Sequence, residues 1–182
     1  MDIQCSKVKI RPWQNSDKES LLSHANNRKI WINLADTFPH PYSEQHAMFF
    51  LSMVQEQNPL TSWAICIEDR PIGSVGINLK TDIYRKTAEF GYWLGEEYWG
   101  QGIMSEVVEK SVPYIFANFN LVRLEAPVIE WNRASMRVMK KCGFQQEAIH
   151  KKAVIKDGVL GDLYYFVRLN TDAISAMQKE SV

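Results

Sequence analysis

Gly100 and Gly102 flank Gln101 in the stretch Tyr98-Trp99-Gly100-Gln101-Gly102-Ile103-Met104-Ser105. Before it, Thr87 to Leu94 reads as a strand. After it, Val108, Val112, Ile115, Phe116 and Phe119 recur at helical spacing. Glycines at a strand-to-helix junction allow unusual dihedrals and bring the backbone close to whatever lies beside it. The start of a helix adds unpaired N–H groups and partial positive charge, which suits phosphate. A plain chain reversal uses glycines in the same way, and the loop alone does not separate the two. It lacks the Lys-Ser/Thr of a nucleoside-triphosphate loop and the third glycine of a dinucleotide fingerprint, so both of those readings fall.

Elements of mixed kind surround this junction. Val8 to Trp13 alternates as a strand, and Ser16 with Glu19 has the pattern of a capping box for the helix carrying Leu21, Leu22 and Ala25. A short helix is expected over Lys29 to Leu34. Asp36 to Tyr42, with its two prolines, must be a loop. Ser43 can cap a helix in which Ala47, Phe50, Leu51 and Val54 share one side. Ser62 to Glu68 and Ile72 to Leu79 are strands joined by a turn at Asp69-Arg70-Pro71. Past the glycine loop, Pro113 should kink its helix or sacrifice a hydrogen bond. Val122 to Val128 is a strand and Ala134 to Cys142 a helix ended by Gly143. Strands near 147–156 and 162–169 close the fold, with Gly158 and Gly161 marking the hairpin between them. The order predicts an α+β fold, an α/β sandwich, in one domain over residues 1–182, with a core at about 7–170 and a short C-terminal tail.

The 182 residues carry 21 basic and 21 acidic side chains, a balance that argues against a dedicated nucleic-acid binder. No apolar run approaches the length of a membrane span, and MDIQCSKVKIR lacks the apolar stretch of a secretory signal. Cys5, Cys66 and Cys142 are odd in number and far apart, which suggests neither a disulfide framework nor a metal cluster. A cytoplasmic protein without metal is the expectation.

A second element joins the glycine loop. "EWNRASMRVMKKCGF", Glu130 to Phe144, begins with Asn132 and ends on Gly143-Phe144. With "YWGQGIMS" before it at this separation, the chain resembles the GNAT acetyltransferases. The family's Gln/Arg-x-x-Gly-x-Gly/Ala loop corresponds to Glu97 through Gly102, and the chain departs from it by placing Glu97 on the rim. "AEFGYWLGEEYWGQGIMSE", "FPHPYSEQHA" and "NRASMRVMKKCGFQQEA" resemble the subgroup containing the Rim-type ribosomal-protein N-terminal acetyltransferases.

The resemblance implies a mixed, mostly antiparallel sheet with splayed central strands flanked by helices. It implies that the backbone of Gly100, Gln101, Gly102, Ile103, Met104 and Ser105 holds the pyrophosphate of acetyl-CoA. It places the pantetheine arm in the gap between Ala88–Leu94 and Val122–Val128, against backbone near Trp93 and Leu94. Asn132 would cap its helix and bond the arm, and Ser135 would hydrogen-bond the sulfur. Many family members carry a Tyr four residues before Gly-Phe as proton donor, whereas this chain has Met139.

Acetyl transfer to an amine needs a deprotonated amine, an oriented pair and donors for the oxyanion. Glu89 is the first candidate base. It shares a strand face with Gly91, which leaves room beside it, and with Trp93. A structural Glu at a strand end is equally compatible with that position. Glu125 is second, with Arg123 as its expected ion-pair partner. Lys140 and Lys141 could approach the coenzyme's 3′-phosphate or simply be solvated. Trp31 and Phe38 could wall an acceptor pocket flanked by His40, Tyr42 and His46, and His24 has no partner visible in sequence.

The expected activity is an acetyl-CoA-dependent N-acetyltransferase, monomeric or homodimeric, acting in a ternary complex. The subgroup resemblance favours a protein N-terminus as acceptor. A small amine such as a polyamine, amino acid or aminoglycoside is the alternative. A non-catalytic acyl-CoA sensor is a third reading, which Glu97 and Met139 keep open.

Overall fold

A computed structural model describes residues 1–180. Eight strands form one sheet in the order β1-β2-β3-β4-β5-β6-β8-β7. They are β1 (Ile3–Gln4), β2 (Lys9–Pro12), β3 (Ser62–Ile67), β4 (Arg70–Leu79), β5 (Thr87–Leu94), β6 (Arg123–Ile129), β7 (Gln145–Lys156) and β8 (Val159–Leu169). The helices are α1 (Lys18–Ala25), α2 (Arg28–Trp31), α3 (Glu44–Gln55), α4 (Ile103–Asn118), α5 (Arg133–Lys141) and α6 (Thr171–Glu180).

Strand alternation sorts the side chains into two cores. Trp63 and Ile65 of β3, Ala88 and Phe90 of β5 and Leu124 and Ala126 of β6 pack with Val107, Val108, Val112 and Ile115 of α4 and Met136 and Met139 of α5. Ala64 and Cys66 of β3 instead pack with Leu21 and Ala25 of α1 and Ala47, Leu51 and Val54 of α3, and Trp93 joins them from β5. The two sides of β5 therefore look toward different helical layers.

All neighbouring strands run antiparallel except β5 and β6. This parallel pair is short. Its register partners are Thr87 with Arg123, Ala88 with Leu124 and Glu89 with Glu125, and beyond Glu89 the two strands part. Past that point β5 is paired only to β4, from Phe90 opposite Ile77 to Leu94 opposite Gly73, while β6 follows β8. Alternate N–H and C=O groups of β5 beyond Glu89 consequently point into an open wedge in the middle of the sheet.

Local details differ from the sequence reading at four places. Ser16 and Glu19 form no capping box. Ser16 lies inside a 3-10 turn, Asn15–Asp17, and the buried Asp17 carboxylate takes the Gln14 N–H at 2.8 Å and the Arg11 guanidinium. A buried arginine demands that carboxylate, and the helix start shifts to suit it. The turn before β4 is Glu68-Asp69, both at positive φ, so Arg70 and Pro71 already belong to the strand. The turn of the last hairpin is Asp157-Gly158, also at positive φ. Gly161 lies within β8 instead, where a Cβ would stand 2.6 Å from the Trp131 ring. The second helix covers only Arg28–Trp31. Elsewhere the local expectations hold. The Ser43 hydroxyl accepts the His46 N–H at the start of α3, and α4 runs through Pro113 without ending. Most of the expected C-terminal tail is α6.

Candidate active site

The wedge opens into a cavity of about 510 Å³. Gly100, Gly102, Ile103, Met104 and Ser105 line one end, with Trp93 and Leu94 in the middle and Asn132 and Ser135 opposite. The elements explain this convergence. Leu94 ends β5 at the mouth of the wedge, and a 3-10 turn at Glu96–Tyr98 carries the chain to the glycines. Gly102 is the N-cap of α4 at φ 79°, ψ −6°, in the left-handed region where a side chain is strained. Gly100 is at φ 73°, and a Cβ on either glycine would meet nothing within 4 Å. The first helical hydrogen bond here runs from Glu106 N–H to the Gly102 carbonyl. The N–H groups of Ile103, Met104 and Ser105 precede that ladder and stand at the helix's positive end.

Two expected residues lie apart from this wall. Gln101 is exposed, and its side-chain amide donates to the Glu97 carbonyl at 2.9 Å, so the side chain braces the loop from outside. Glu89 lies at the vertex of the wedge on the opposite sheet face, the face shared with Gly91 and Trp93. Gly91 is exposed, and the place where its side chain would stand is open.

The two carboxylates at the vertex differ in their surroundings. Glu125 Oε1 accepts from Arg123 Nε at 2.8 Å, and its other oxygen pairs with Lys80. Burial opposes ionisation, yet these two cations hold the Glu125 carboxyl below the usual range. Arg123 continues to Glu147, through Nη1 at 3.0 Å. The Glu89 carboxylate makes no hydrogen bond or ion pair among the described residues. Burial pushes its pKa up, Lys80 opposes the rise and the neighbouring Glu125 charge adds to it.

On the opposite face, Asn132 caps α5 by accepting the Ser135 N–H at 3.1 Å. The Ser135 hydroxyl lies 2.9 Å from the Tyr92 hydroxyl. Tyr92 also lines the cavity, and burial pushes its phenol pKa up. Sequence reasoning passed over this residue. The available signal was alternation, which sends Tyr92 of "FGYW" to the face opposite Glu89. Met139, at the position where many relatives carry a tyrosine, is fully buried in the core.

Charges around the rim are arranged by neighbours far away in sequence. Glu97 meets His24 Nδ1 at 3.0 Å, and Glu96 is held by Asn27 at 2.9 Å and by Lys29. Both rim carboxylates are thus drawn toward α1 and α2. Arg133, Arg137 and Lys141 of α5 line the cavity, whereas Lys140 does not. No Asp or Glu lies among the described residues of the wall. Trp99 lines it too, and its indole donates to the Leu94 carbonyl at 2.7 Å.

At the far end the wall is made by Ile30, Asn33, Leu34 and Trp131. Trp131 donates to the Ile32 carbonyl at 3.1 Å and so ties the start of α5 to the segment after α2. Trp31 does not reach this cavity. It stacks on His40 and carries the buried Lys156 ammonium 3.9 Å above its ring, with Asp36 at 2.7 Å from the same ammonium. Phe38 packs against Tyr42 and Trp93.

Among the described residues no helix is long and apolar enough to cross a membrane, and no His/Cys/Asp/Glu cluster could hold a metal. Residues 7–145 match the family model described as an acetyltransferase (GNAT) domain. The probable N-acetyltransferase YjcK of Bacillus subtilis is 40% identical over 105 residues, which cover 58% of this chain and 58% of YjcK. The match therefore spans less than two thirds of that relative. The uncharacterized N-acetyltransferase YoaA of the same organism is 34% identical over 160 residues, 86% of this chain and 89% of YoaA. Among solved structures, RimL, a ribosomal L7/L12 alpha-N-protein acetyltransferase in complex with coenzyme A, superposes with a TM-score of 0.81 at 21% identity. That superposition covers 93% of this chain and 98% of the other.

Proposed function

Because the chain belongs to the GNAT acetyltransferase family, we propose that it transfers acetyl from acetyl-CoA to a primary amine, with a protein N-terminal α-amino group as the acceptor. The observation that carries this reading is the single cavity joining a glycine-capped helix start to a pair of hydroxyls across an open strand wedge. The residues present fit acetyl-CoA. Gly100 and Gly102 leave open space over free helical N–H groups, as a pyrophosphate requires. Arg137 and Lys141 add positive charge on the same wall, and β5 offers backbone partners to an amide-bearing arm. When bound, acetyl-CoA supplies an acetyl group activated as a thioester.

The two faces of β5 divide the remaining work. Glu89 stands on the α1/α3 face beside the open position at Gly91, where an amine can approach. It is the unpaired carboxylate of the vertex, so it takes the ammonium proton, directly or through one water. Glu125 is committed to Lys80 and Arg123 and has no capacity left for that task. Ser135, on the other face, donates to the departing sulfur. β5 amides beyond Glu89 are available to the carbonyl oxygen. Asn132 fixes the start of α5 and with it the position of Ser135.

An N-terminal amine, with a pKa near ~8, gives up its proton more readily than a lysine at ~10.4. Thiol release from acetyl-CoA tests the reading, with peptides beginning with Ser, Ala or Met set against spermidine and free amino acids. Release with the peptides supports it, and release with spermidine alone replaces the acceptor. Binding of acetyl-CoA without release for any amine makes the protein a sensor.

A further inference from the structure

We propose that Tyr92 is a positioning residue that aims the Ser135 hydroxyl hydrogen at the sulfur of the bound coenzyme, standing in for the aromatic hydroxyl that Met139 cannot supply. The inference rests on the acetyl-CoA reading of the cavity.

The two side chains come from different elements. Tyr92 projects from β5 and Ser135 from the first turn of α5, and their oxygens lie 2.9 Å apart. Both residues line the cavity. A serine in the first turn of a helix can turn its hydrogen to several acceptors, including carbonyls of its own chain. A neighbouring phenol changes that choice. If Tyr92 donates, the Ser135 oxygen is occupied as an acceptor, and its own hydrogen must go elsewhere. The Asn132 carboxamide oxygen already takes the Ser135 N–H at 3.1 Å, which fixes the backbone below the hydroxyl. The cavity that Ser135 lines is open to that hydrogen.

The phenol is suited to giving a hydrogen bond and not a proton. Burial pushes its pKa up, and the partly buried ring packs edge-on to Phe90 at 6.1 Å. Tyr92 therefore stays neutral through the reaction, and the hydrogen it shares remains on its own oxygen. No proton leaves the pair. Ser135 stabilises negative charge on sulfur by donation, and Tyr92 polarises that donation. Met139 is itself 0% exposed and carries no hydroxyl to offer the sulfur.

The test is the acidity of the thiol of bound coenzyme A, followed by ultraviolet absorbance of the thiolate against pH. The wild-type protein should lower that pKa relative to free coenzyme A. Tyr92→Phe should return most of the shift and lower kcat about tenfold, the worth of one ordinary hydrogen bond, with little change in acetyl-CoA KM. Ser135→Ala should abolish the shift, and the double variant should match Ser135→Ala alone because Tyr92 acts only through Ser135. Site-specific replacement of Tyr92 by 3-fluorotyrosine keeps the ring and strengthens the donor, so it should lower the bound thiol pKa further even if Tyr92→Phe folds poorly. An unshifted response to both Tyr92 replacements, with coenzyme A still bound, overturns the proposal. Additive losses in the double variant do the same. Failure of the wild-type protein to bind coenzyme A would instead overturn the cavity assignment.

Discussion

Glu89 and Glu125 are register partners in the last parallel pair before β5 and β6 separate, yet only Glu125 is neutralised, by Lys80 and Arg123. Two carboxylates side by side resist joint ionisation, so their partners decide which one carries charge permanently. The protein resolves the conflict by ion-pairing one and leaving the other beside open space. The second is the carboxylate proposed as the base.

Glu89→Gln keeps the size of this side chain and removes its basicity. The rate with saturating amine should fall by a factor of ~100, while calorimetry should return an unchanged acetyl-CoA affinity. The raised Glu89 pKa places the acidic limb of the rate profile nearer neutrality, since activity is lost as pH falls through it. That limb should vanish in the variant, with partial recovery at high pH. A variant within a few-fold of wild type that retains the limb would remove Glu89 from the mechanism.

The surroundings of Glu89 make a signed test possible. Facing it are Lys80 just after β4, Glu125 and Arg123 of β6 and Glu147 of β7, with Tyr165 of β8 and the His150 ring tilted against it farther along. Glu125→Gln removes a like charge, so the acidic limb should move to lower pH. Lys80→Met removes an attracting cation, so the limb should move to higher pH. Shifts of the same sign in both variants would show that Glu89 does not define the limb.

Gly102→Ala tests the cradle apart from folding. The left-handed conformation should cost about 1–2 kcal/mol of stability, read from denaturant midpoints. Gly158→Ala is the control, because it has φ 75°, open space at its Cβ and a place in the distant β7–β8 turn. Both variants should lose similar stability, and only Gly102→Ala should lose acetyl-CoA affinity, by tenfold or more. Equal affinities would mean that the glycine serves the turn alone.

Gly161→Ala probes the far wall. The new methyl would meet the Trp131 ring and push it from the Ile32 carbonyl. Amine KM should rise severalfold with acetyl-CoA KM unchanged in initial-rate kinetics. The reverse split would place Trp131 on the coenzyme side.

Features tied to local chemistry were legible in the sequence. The strand Thr87–Leu94 and the cap at Ser43 follow from period and capping, and Gly100 and Gly102 from the dihedrals that only glycine takes easily. Asn132 and Ser135 were found through family resemblance, and the structure sets them at one helix start. What escaped depends on long-range partners. Asp17 is captured by Arg11, which voids the Ser16–Glu19 box, and His24 meets Glu97 across 73 positions of sequence that no local pattern connects. Tyr92 sits in the same strand motif as Glu89 and Trp93 but on its other face. The role proposed for it depends on the first turn of α5 coming within 2.9 Å of the Tyr92 hydroxyl, a fact of packing. The ion pair that sets Glu125 apart from Glu89 comes from Lys80, whose approach to β6 is set by the β4–β5 hairpin.

The most direct measurement is the initial rate of free-thiol release from acetyl-CoA with a peptide bearing an N-terminal Ser, Ala or Met, with mass spectrometry of the product. The expected result is amine-dependent release matched by one added acetyl group on the peptide's α-amino nitrogen, lost on Glu89→Gln. Acetyl-CoA bound with normal affinity, and no acetylated product from the peptides or from any small amine, would contradict it.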